Sequence, residues 1–307
     1  MQKIRIGTRG SPLALAQAHE VKARLVAAHG MSEDDVIVEV ISVAGDRIQD
    51  RSLAEVGGKG LFTEDIETKL RDGRIDIAVH SSKDMPTELP SGLALTAFLE
   101  REDPRDAFLS PSVENLLALP KGAVVGTSSL RRQALVCRAR PDLKTVEFRG
   151  NVQTRLRKLN EGVADATLLA NAGLRRLGMT EVITDLIGLD VFPPAPGQGA
   201  ICIEGRADDD QMLALVEPLN HDATAMALIC ERAFLASLDG SCRTPIAGHA
   251  IIDGNDVSLY GLVLKPDGTE SHDIRLNGKV GEAALIGRNA GEQIRTIAGA
   301  DFFESWN

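Results

Sequence analysis

The feature that most constrains this chain is a junction that occurs twice. "GTRGSPLAL" at 7–15 and "GTSSLRRQAL" at 126–135 each carry a strand-like run through a Gly-Thr turn into a helix-like run. Around the first, "KIRIGT" reads as a strand, and "SPLALAQAHEVKARLVAAHG" as a helix with Ser11 as N-cap, Pro12 at the first helical position and Gly30 past the end. The β-branched "VIVEVISV" follows as a strand, "LFTEDIETKLRDG" as a helix, "IDIAV" as a short buried strand leading into "HSSKDMP", and "GLALTAFL" as another strand. After the charged "EREDPRD" the pattern restarts. "GAVVGTSSLRRQALVCRARP" is strand, turn and helix, "KTVEFR" strand, "GNVQTRLRKLNEG" helix, "ADATLLA" strand and "NAGLRRLG" helix. This alternation predicts an α/β chain with parallel-rich sheets, in which ligands bind beyond the strand ends.

The glycine-containing, weakly periodic stretch 44–60 reads as a long mobile loop of the kind that serves as a lid. "VFPPAPGQGAI" (191–201), with three prolines and two glycines, marks a hinge or crossover. "HDATAMALICERAFLASL" then predicts a strongly amphipathic helix. Three strand-like runs near 247–276 and a last helix, "GEAALIGRNAGEQIRTIAG", close the chain as a separate small α+β domain. A length of 307 residues suits two or three domains of about 100 residues each.

Net charge is -10, from 44 acidic against 34 basic residues, so overall charge does not suggest a nucleic-acid or anionic-membrane partner, and any basic cluster must be local. No apolar signal region opens the sequence and no run nears the roughly 18 residues a membrane span needs, which makes a cytoplasmic location the expectation. Four cysteines with no C-x-x-C pair speak against a disulfide scaffold or zinc knuckle, and the six scattered histidines give no support for a metal centre. "VGGKG" (56–60) lacks the spacing of a P-loop.

Arginine is placed unusually. Arg9, Arg131, Arg132, Arg149 and Arg155 lie at or within one turn of strand-to-helix junctions, and Arg176 in the short helix after "ATLLA". Guanidinium groups pair bidentately with carboxylates and phosphates, helix N-termini favour anions, and Ser11, Thr127, Ser128 and Ser129 add hydroxyls at the same turns. Taken singly, each arginine is equally well explained by a local acid such as Glu147 or Asp165. Taken as a set, they predict a cleft for a ligand with several negative groups.

Lys83 and Asp84 follow the strand "IDIAV". A carboxylate there is placed to act as a general acid or to hold a cationic intermediate, with Lys83 pairing with substrate; a turn in which Asp84 accepts backbone hydrogen bonds is the alternative. His80 alone reads as a structural histidine. Cys137, Cys202 and Cys230 have small and aliphatic neighbours that suit core filler, whereas Cys242 in "DGSCRTPIAG" (239–248) reads as a loop cysteine. Gly240 and Ser241 allow close backbone approach there, and Arg243 favours the thiolate.

Nine stretches in order, "GTRGSPLALAQA", "VGGKGLF", "DIAVHSSKDMP", "EREDPRDAF", "GTSSLRRQAL", "FRGNVQTRLRKL", "AGLRRLG", "PAPGQGAICIE" and "GSCRTPIAGHA", closely resemble the porphobilinogen deaminase family over nearly the whole chain. The resemblance implies a monomer with two α/β domains that look like the lobes of a type II periplasmic binding protein around a cleft, at 1–98 with 198–218 and at 99–197. It also implies a small C-terminal α+β domain, 219–307, carrying the cofactor cysteine. The implied activity is the head-to-tail condensation of four porphobilinogen molecules into hydroxymethylbilane, with release of ammonia, in porphyrin and haem biosynthesis. A dipyrromethane cofactor in thioether linkage to Cys242 would be the primer.

By the same resemblance Asp84 is the catalytic residue. Lys83, Ser81, Thr127, Ser129, Arg131 and Arg132 contact the cofactor, and Arg9, Ser11, Arg149, Arg155, Arg176, Gln198, Lys59 and Phe62 the substrate. No metal, nucleic acid or membrane is expected. Ser241, Asn171 and Glu55 depart from residues commoner in relatives. Two rival classes are an anion-binding or sensor protein on the same scaffold and a cysteine hydrolase pairing Cys242 with His80 or His249. Neither accounts for a third domain presenting a cysteine to an arginine-lined cleft.

Overall fold

A computed structural model describes residues 3–43, 63–240 and 244–306. From the N-terminus the elements run β1 (Ile4–Arg9), α1 (Pro12–His29), β2 (Val36–Ile41), α2 (Glu64–Arg71), β3 (Ile77–Ser81) and β4 (Leu93–Phe98). Then come β5 (Asp106–Leu109), β6 (Val124–Gly126), α3 (Leu130–Ala139), β7 (Lys144–Val146), α4 (Val152–Asn160), β8 (Ala166–Ala170), α5 (Asn171–Arg176) and β9 (Asp185–Leu186). The last stretch holds β10 (Ile201–Arg206), α6 (Asp210–Val216), α7 (Asp222–Ser237), β11 (Ile246–Asp253), β12 (Asp256–Leu264), β13 (Ser271–Lys279), α8 (Ala283–Ala298) and α9 (Ala300–Glu304).

The local signals act as anticipated in α1. The Ser11 hydroxyl accepts from the Ala14 amide at 3.2 Å, Pro12 takes the first position, and Gly30 ends the helix with φ 61°. The loop expected at 44–60 lies outside the described residues.

Two five-stranded sheets share one layout, and a third sheet is smaller. In the first, ordered β2-β1-β3-β10-β4, β1 is parallel to β2 and β3, while β10 runs antiparallel to β3 and β4. In the second, ordered β7-β6-β8-β5-β9, β6 is parallel to β7 and β8, while β5 runs antiparallel to β8 and β9. The third, β11-β12-β13, is an antiparallel meander. The chain is thus mixed α/β with two larger sheets and a small C-terminal one. The returning strands β5 and β10 carry charged residues and find their partners far away in the chain, so the local pattern of 106–109 and 201–206 does not announce them.

By contacts the chain divides into residues 1–102 with 200–225, and residues 103–199 with 226–307. In the first unit, strand alternation sorts side chains onto two faces. Ile77 and Val79 join Ile6, Val21, Leu25, Ile201 and Ile203 in a core that includes residues of α1, and Ala78 joins Ile66, Leu70 and Ile75 in one that includes residues of α2.

In the second unit, Leu109, Phe148, Leu159 and Leu169 form one core, and Phe108, Val125, Leu135 and Leu168 another, into which Ala247, Leu262 and Leu264 of the small sheet also pack. The opposite face of that sheet meets α7 and α8 through Phe234, Leu259, Val263, Ile286 and Ile294. Helix α7 departs from the expected amphipathic pattern: it is covered around most of its circumference, with Ile229 exposed. Among the described residues no helix is long and apolar enough to cross a membrane.

Candidate active site

Both Gly-Thr junctions are built alike. A Cβ on Gly7 would strike Ile75 Cδ1, and one on Gly126 would lie 2.5 Å from the Phe148 ring, so each turn needs a residue without a side chain for its neighbour to pack closely. Thr8 and Thr127 beside them are buried.

In the first unit the turn brings Arg9 and Ser11 to one recess with Ser81 and Asp84. Gln17, Thr63 and His80 also line it. The Gln17 amide donates to Ser81 Oγ at 2.9 Å, fixing that hydroxyl. Lys83 and Asp84 lie in a single 3-10 turn, Ser82–Asp84, with Lys83 half-buried and the Asp84 carboxyl exposed. The recess measures ≈ 90 Å³. That is well below the roughly 300 Å³ at which whole-ligand pockets begin, so it suits a carboxylate or one ring edge.

In the second unit, Arg131 and Arg132 at the start of α3 converge on Asp106, whose carboxyl is fully buried. Arg131 reaches Asp106 Oδ2 at 2.7 Å and the Pro193 carbonyl at 2.8 Å; Arg132 reaches Asp106 Oδ1 at 2.7 Å and the Leu168 carbonyl at 3.0 Å. Gln198 donates to the same carboxylate at 2.9 Å and to the Pro104 carbonyl at 2.7 Å. Burial alone pushes the Asp106 carboxyl up, but Arg131, Arg132 and Gln198 outweigh it and hold it far below the usual carboxylate range. Among the described residues, Arg131 Nε is buried without a hydrogen-bond partner. Ser129 caps α3 by accepting from the Arg132 amide at 3.4 Å, and the Thr127 hydroxyl accepts from the Ser129 amide at 3.2 Å.

The other candidate arginines of this unit, Arg149, Arg155 and Arg176, are half-buried. Arg149 pairs loosely with Glu147 at 3.6 Å, Arg155 donates to the Gly150 carbonyl at 2.9 Å, and Arg176 to the Gly199 carbonyl at 2.9 Å. Asp165, the other acid considered as a partner, accepts from the Val124 amide at 2.7 Å. Asn171 is buried and donates to Asp103 at 2.9 Å, which gives this departure from the family pattern a defined contact.

Lys59, Phe62 and Cys242, with Glu55, Ser241 and Arg243, lie outside the described residues. Gly240 before the cysteine is tightly placed: a Cβ there would lie 2.5 Å from Ile246 and from Leu235. Cys202 and Cys230 are buried as expected of core filler, whereas Cys137 is half-exposed. Sequence reasoning did not assign Asp106, Gln17 or Thr63. The available signal for Asp106 was an acid opening an otherwise apolar strand. Among the described residues no group of three or more histidine, cysteine or acidic side chains is arranged to hold a metal ion.

A mixed α/β chain that sets guanidiniums and hydroxyls at the strand-to-helix turns of both sheets, with a carboxyl in a recess of one, has the make-up of an enzyme acting on carboxylate-bearing small molecules. Family models agree and go further. Residues 4–214 match "Porphobilinogen deaminase, dipyromethane cofactor binding domain", and residues 225–296 match "Porphobilinogen deaminase, C-terminal domain". A porphobilinogen deaminase of Nitrobacter winogradskyi is 55% identical over 298 residues, covering 97% of this chain and 94% of that one.

The chain belongs to the porphobilinogen deaminase family. Among solved structures, a periplasmic substrate-binding protein of an ABC transporter from Coxiella burnetii is similar with TM-score 0.43 and 16% identity, over 72% of this chain and 94% of that one. A nutrient-binding protein from Burkholderia cenocepacia bound to methionine gives TM-score 0.44 and 16% identity, over 70% and 90%.

Proposed function

We propose a residue-level reading of the family's reaction in this chain. The enzyme is a deaminating transferase, hydroxymethylbilane synthase, that condenses four porphobilinogen molecules head to tail with loss of ammonia. The observation that carries the assignment of roles is the recess in which Asp84 stands with Arg9, Ser11 and Ser81. When ammonia departs from the aminomethyl group of porphobilinogen, the C–N electron pair goes with nitrogen and positive charge develops on the methylene carbon and the pyrrole ring that keeps it. Asp84 helps to protonate the departing amine and its carboxylate then stabilises the azafulvene-like cation, close to the pyrrole N–H. Arg9 and Ser11 hold the acetate or propionate beside it.

The donor set fits a dipyrromethane. Guanidiniums of Arg131 and Arg132, the latter at a capped helix start, lie with Thr127 and Ser129, and Arg131 retains a buried Nε with no hydrogen-bond partner among the described residues. Those residues, with Lys83 and Ser81, would hold its carboxylates, and Cys242 would be its point of attachment. When bound, the dipyrromethane supplies the pyrrole carbon from which the chain is extended. Arg149, Arg155, Arg176 and Gln198 are assigned to the carboxylates added with each unit, and Lys59 and Phe62 to substrate contacts.

The division into 1–98 with 198–218, 99–197 and 219–307 is supported by the three sheets, each of which falls within one of those ranges. The same reading takes the protein as a cytoplasmic monomer, and the net charge of -10 speaks against a nucleic-acid or anionic-membrane partner.

Asp84→Asn tests the central role. The variant is expected to carry cofactor and bind porphobilinogen but to turn over about 100-fold slower or worse, a typical loss for a general acid. Near-normal turnover would remove Asp84 from that role.

A further inference from the structure

The first unit buries several polar side chains, among them Thr63, Glu67, His80, Ser82 and Glu204. His80 and Ala78 lie on the α2 face of β3, and Glu204 on β10 stands directly opposite Ala78, so His80 and Glu204 are diagonal neighbours on one face. His80 Nε2 and Glu204 Oε2 are 3.0 Å apart, with the imidazole 5% and the carboxyl 0% exposed. Glu67 projects from α2 into the same layer and is also buried.

Yet among the described residues Glu204 Oε1, Glu67 Oε1 and Ser82 Oγ have no hydrogen-bond partner. Buried polar atoms are nearly always satisfied, and such a concentration in one place calls for a chemical reason. A histidine needed only for packing would require one acceptor, not two buried carboxyls. Two of the group, His80 and Thr63, line the recess that holds Arg9 and Asp84.

We propose that His80, Glu204 and Glu67 form a buried acid–base store behind the Asp84 recess, in which His80 and Glu204 act as positioning residues that set the charge Asp84 experiences during each addition. The inference rests on the reading of Asp84 given above. Burial pushes the Glu67 carboxyl up and the negative charge of Glu204 adds to this, outweighing a hydrogen bond from Thr63 and the charges of His80 and Arg71, which oppose it. The protonated form of Glu67 is thereby favoured beside the His80–Glu204 pair. Among the described residues, Arg71 on α2 acts on Glu67, and Arg9 at the end of β1 and Asp84 after β3 line the recess together with His80.

Each addition releases one proton from the pyrrole carbon that forms the new bond, while the departing ammonia takes one up. A store that gives and regains a proton without net change lets Asp84 keep the same charge through every cycle.

The test is the pH profile of steady-state turnover with porphobilinogen, using the cofactor-loaded enzyme and the variants Glu67→Gln, Glu204→Gln and Glu204→Asp. Glu204→Gln is expected to lower kcat about tenfold, with KM changed less than about twofold and partial recovery in Glu204→Asp; the loss lies below a full general acid–base contribution because Asp84 is intact. Glu67→Gln, which removes a buried negative charge present at high pH and keeps its shape, is expected to move the alkaline limb of kcat inward by about half a pH unit or more. In infrared difference spectra on adding porphobilinogen, a protonated-carboxyl band should shift in the wild type and be absent in Glu67→Gln. Profiles of Glu67→Gln and Glu204→Gln that overlay the wild type, with a carboxyl band indifferent to porphobilinogen, would overturn the proposal. Because Asp84 is unchanged in all three variants, that outcome is separate from the result for Asp84→Asn.

Discussion

Arg131 and Asp106 meet at 2.7 Å with side-chain exposures of 4% and 0%, and Arg132 closes on the other carboxylate oxygen. One acid thus pairs with two guanidiniums and leaves one positive charge in excess, so the local-acid and ligand readings open for each arginine in the sequence both find a basis here. Removing the acid should be costly. Asp106→Asn is expected to lower stability by about 3–5 kcal/mol at neutral pH, because both buried cations lose their counter-charge. The pH dependence has a definite sign. The folded carboxyl lies below its unfolded value, so its contribution is fully present above the ordinary aspartate value of about 3.9 and is lost as pH falls through the folded value. Chemical denaturation from neutral to acid pH should show a weaker acid-side slope in the variant; an unchanged midpoint and slope would contradict the assignment.

The repeated glycine junction makes a second prediction. An added methyl at Gly126 lies within 2.5 Å of the Phe148 ring, which is itself fully buried, so the ring has little room to yield. Gly126→Ala is expected to cost about 1–3 kcal/mol, the range for overpacking a filled core. Thermal denaturation measures it, and a variant as stable as the wild type would show that the turn tolerates a side chain.

The described cysteines should be poor nucleophiles. Burial, reinforced by Glu231, pushes the Cys230 thiol up to about 12; burial and Asp267 push Cys137 up; and Cys202 is fully buried. Alkylation of the native protein at neutral pH, followed by peptide mapping, should leave Cys202 and Cys230 unmodified and label Cys137 slowly. Rapid labelling of Cys230 would contradict its placement.

What the sequence made legible was local. Ser11, Pro12 and Gly30 bound α1 because capping acts within one turn of the chain, and the paired Gly-Thr junctions marked two similar sheets because each turn carries its own steric requirement. Strands β5 and β10 were not legible, since antiparallel insertion between other strands is decided by distant partners such as Leu169 for Ala107 and Val79 for Ile203. The same holds within the site. Arginines at helix starts could be counted from the sequence, but the carboxylate they share lies 25 and 26 positions away. The sequence reads His80 as a structural histidine; the fold buries it against Glu204, and the two carboxyls around it come from α2 and β10 and could be gathered only by the fold.

The account stands on Cys242 as the point from which every product chain is grown, and the intact mass of the denatured protein tests this most directly. Freshly purified active enzyme should exceed the mass of the chain by two pyrrole units, in an adduct that survives denaturation and gives an Ehrlich-type colour, and Cys242→Ser should show the bare chain. An active wild-type preparation with the unmodified mass would contradict it.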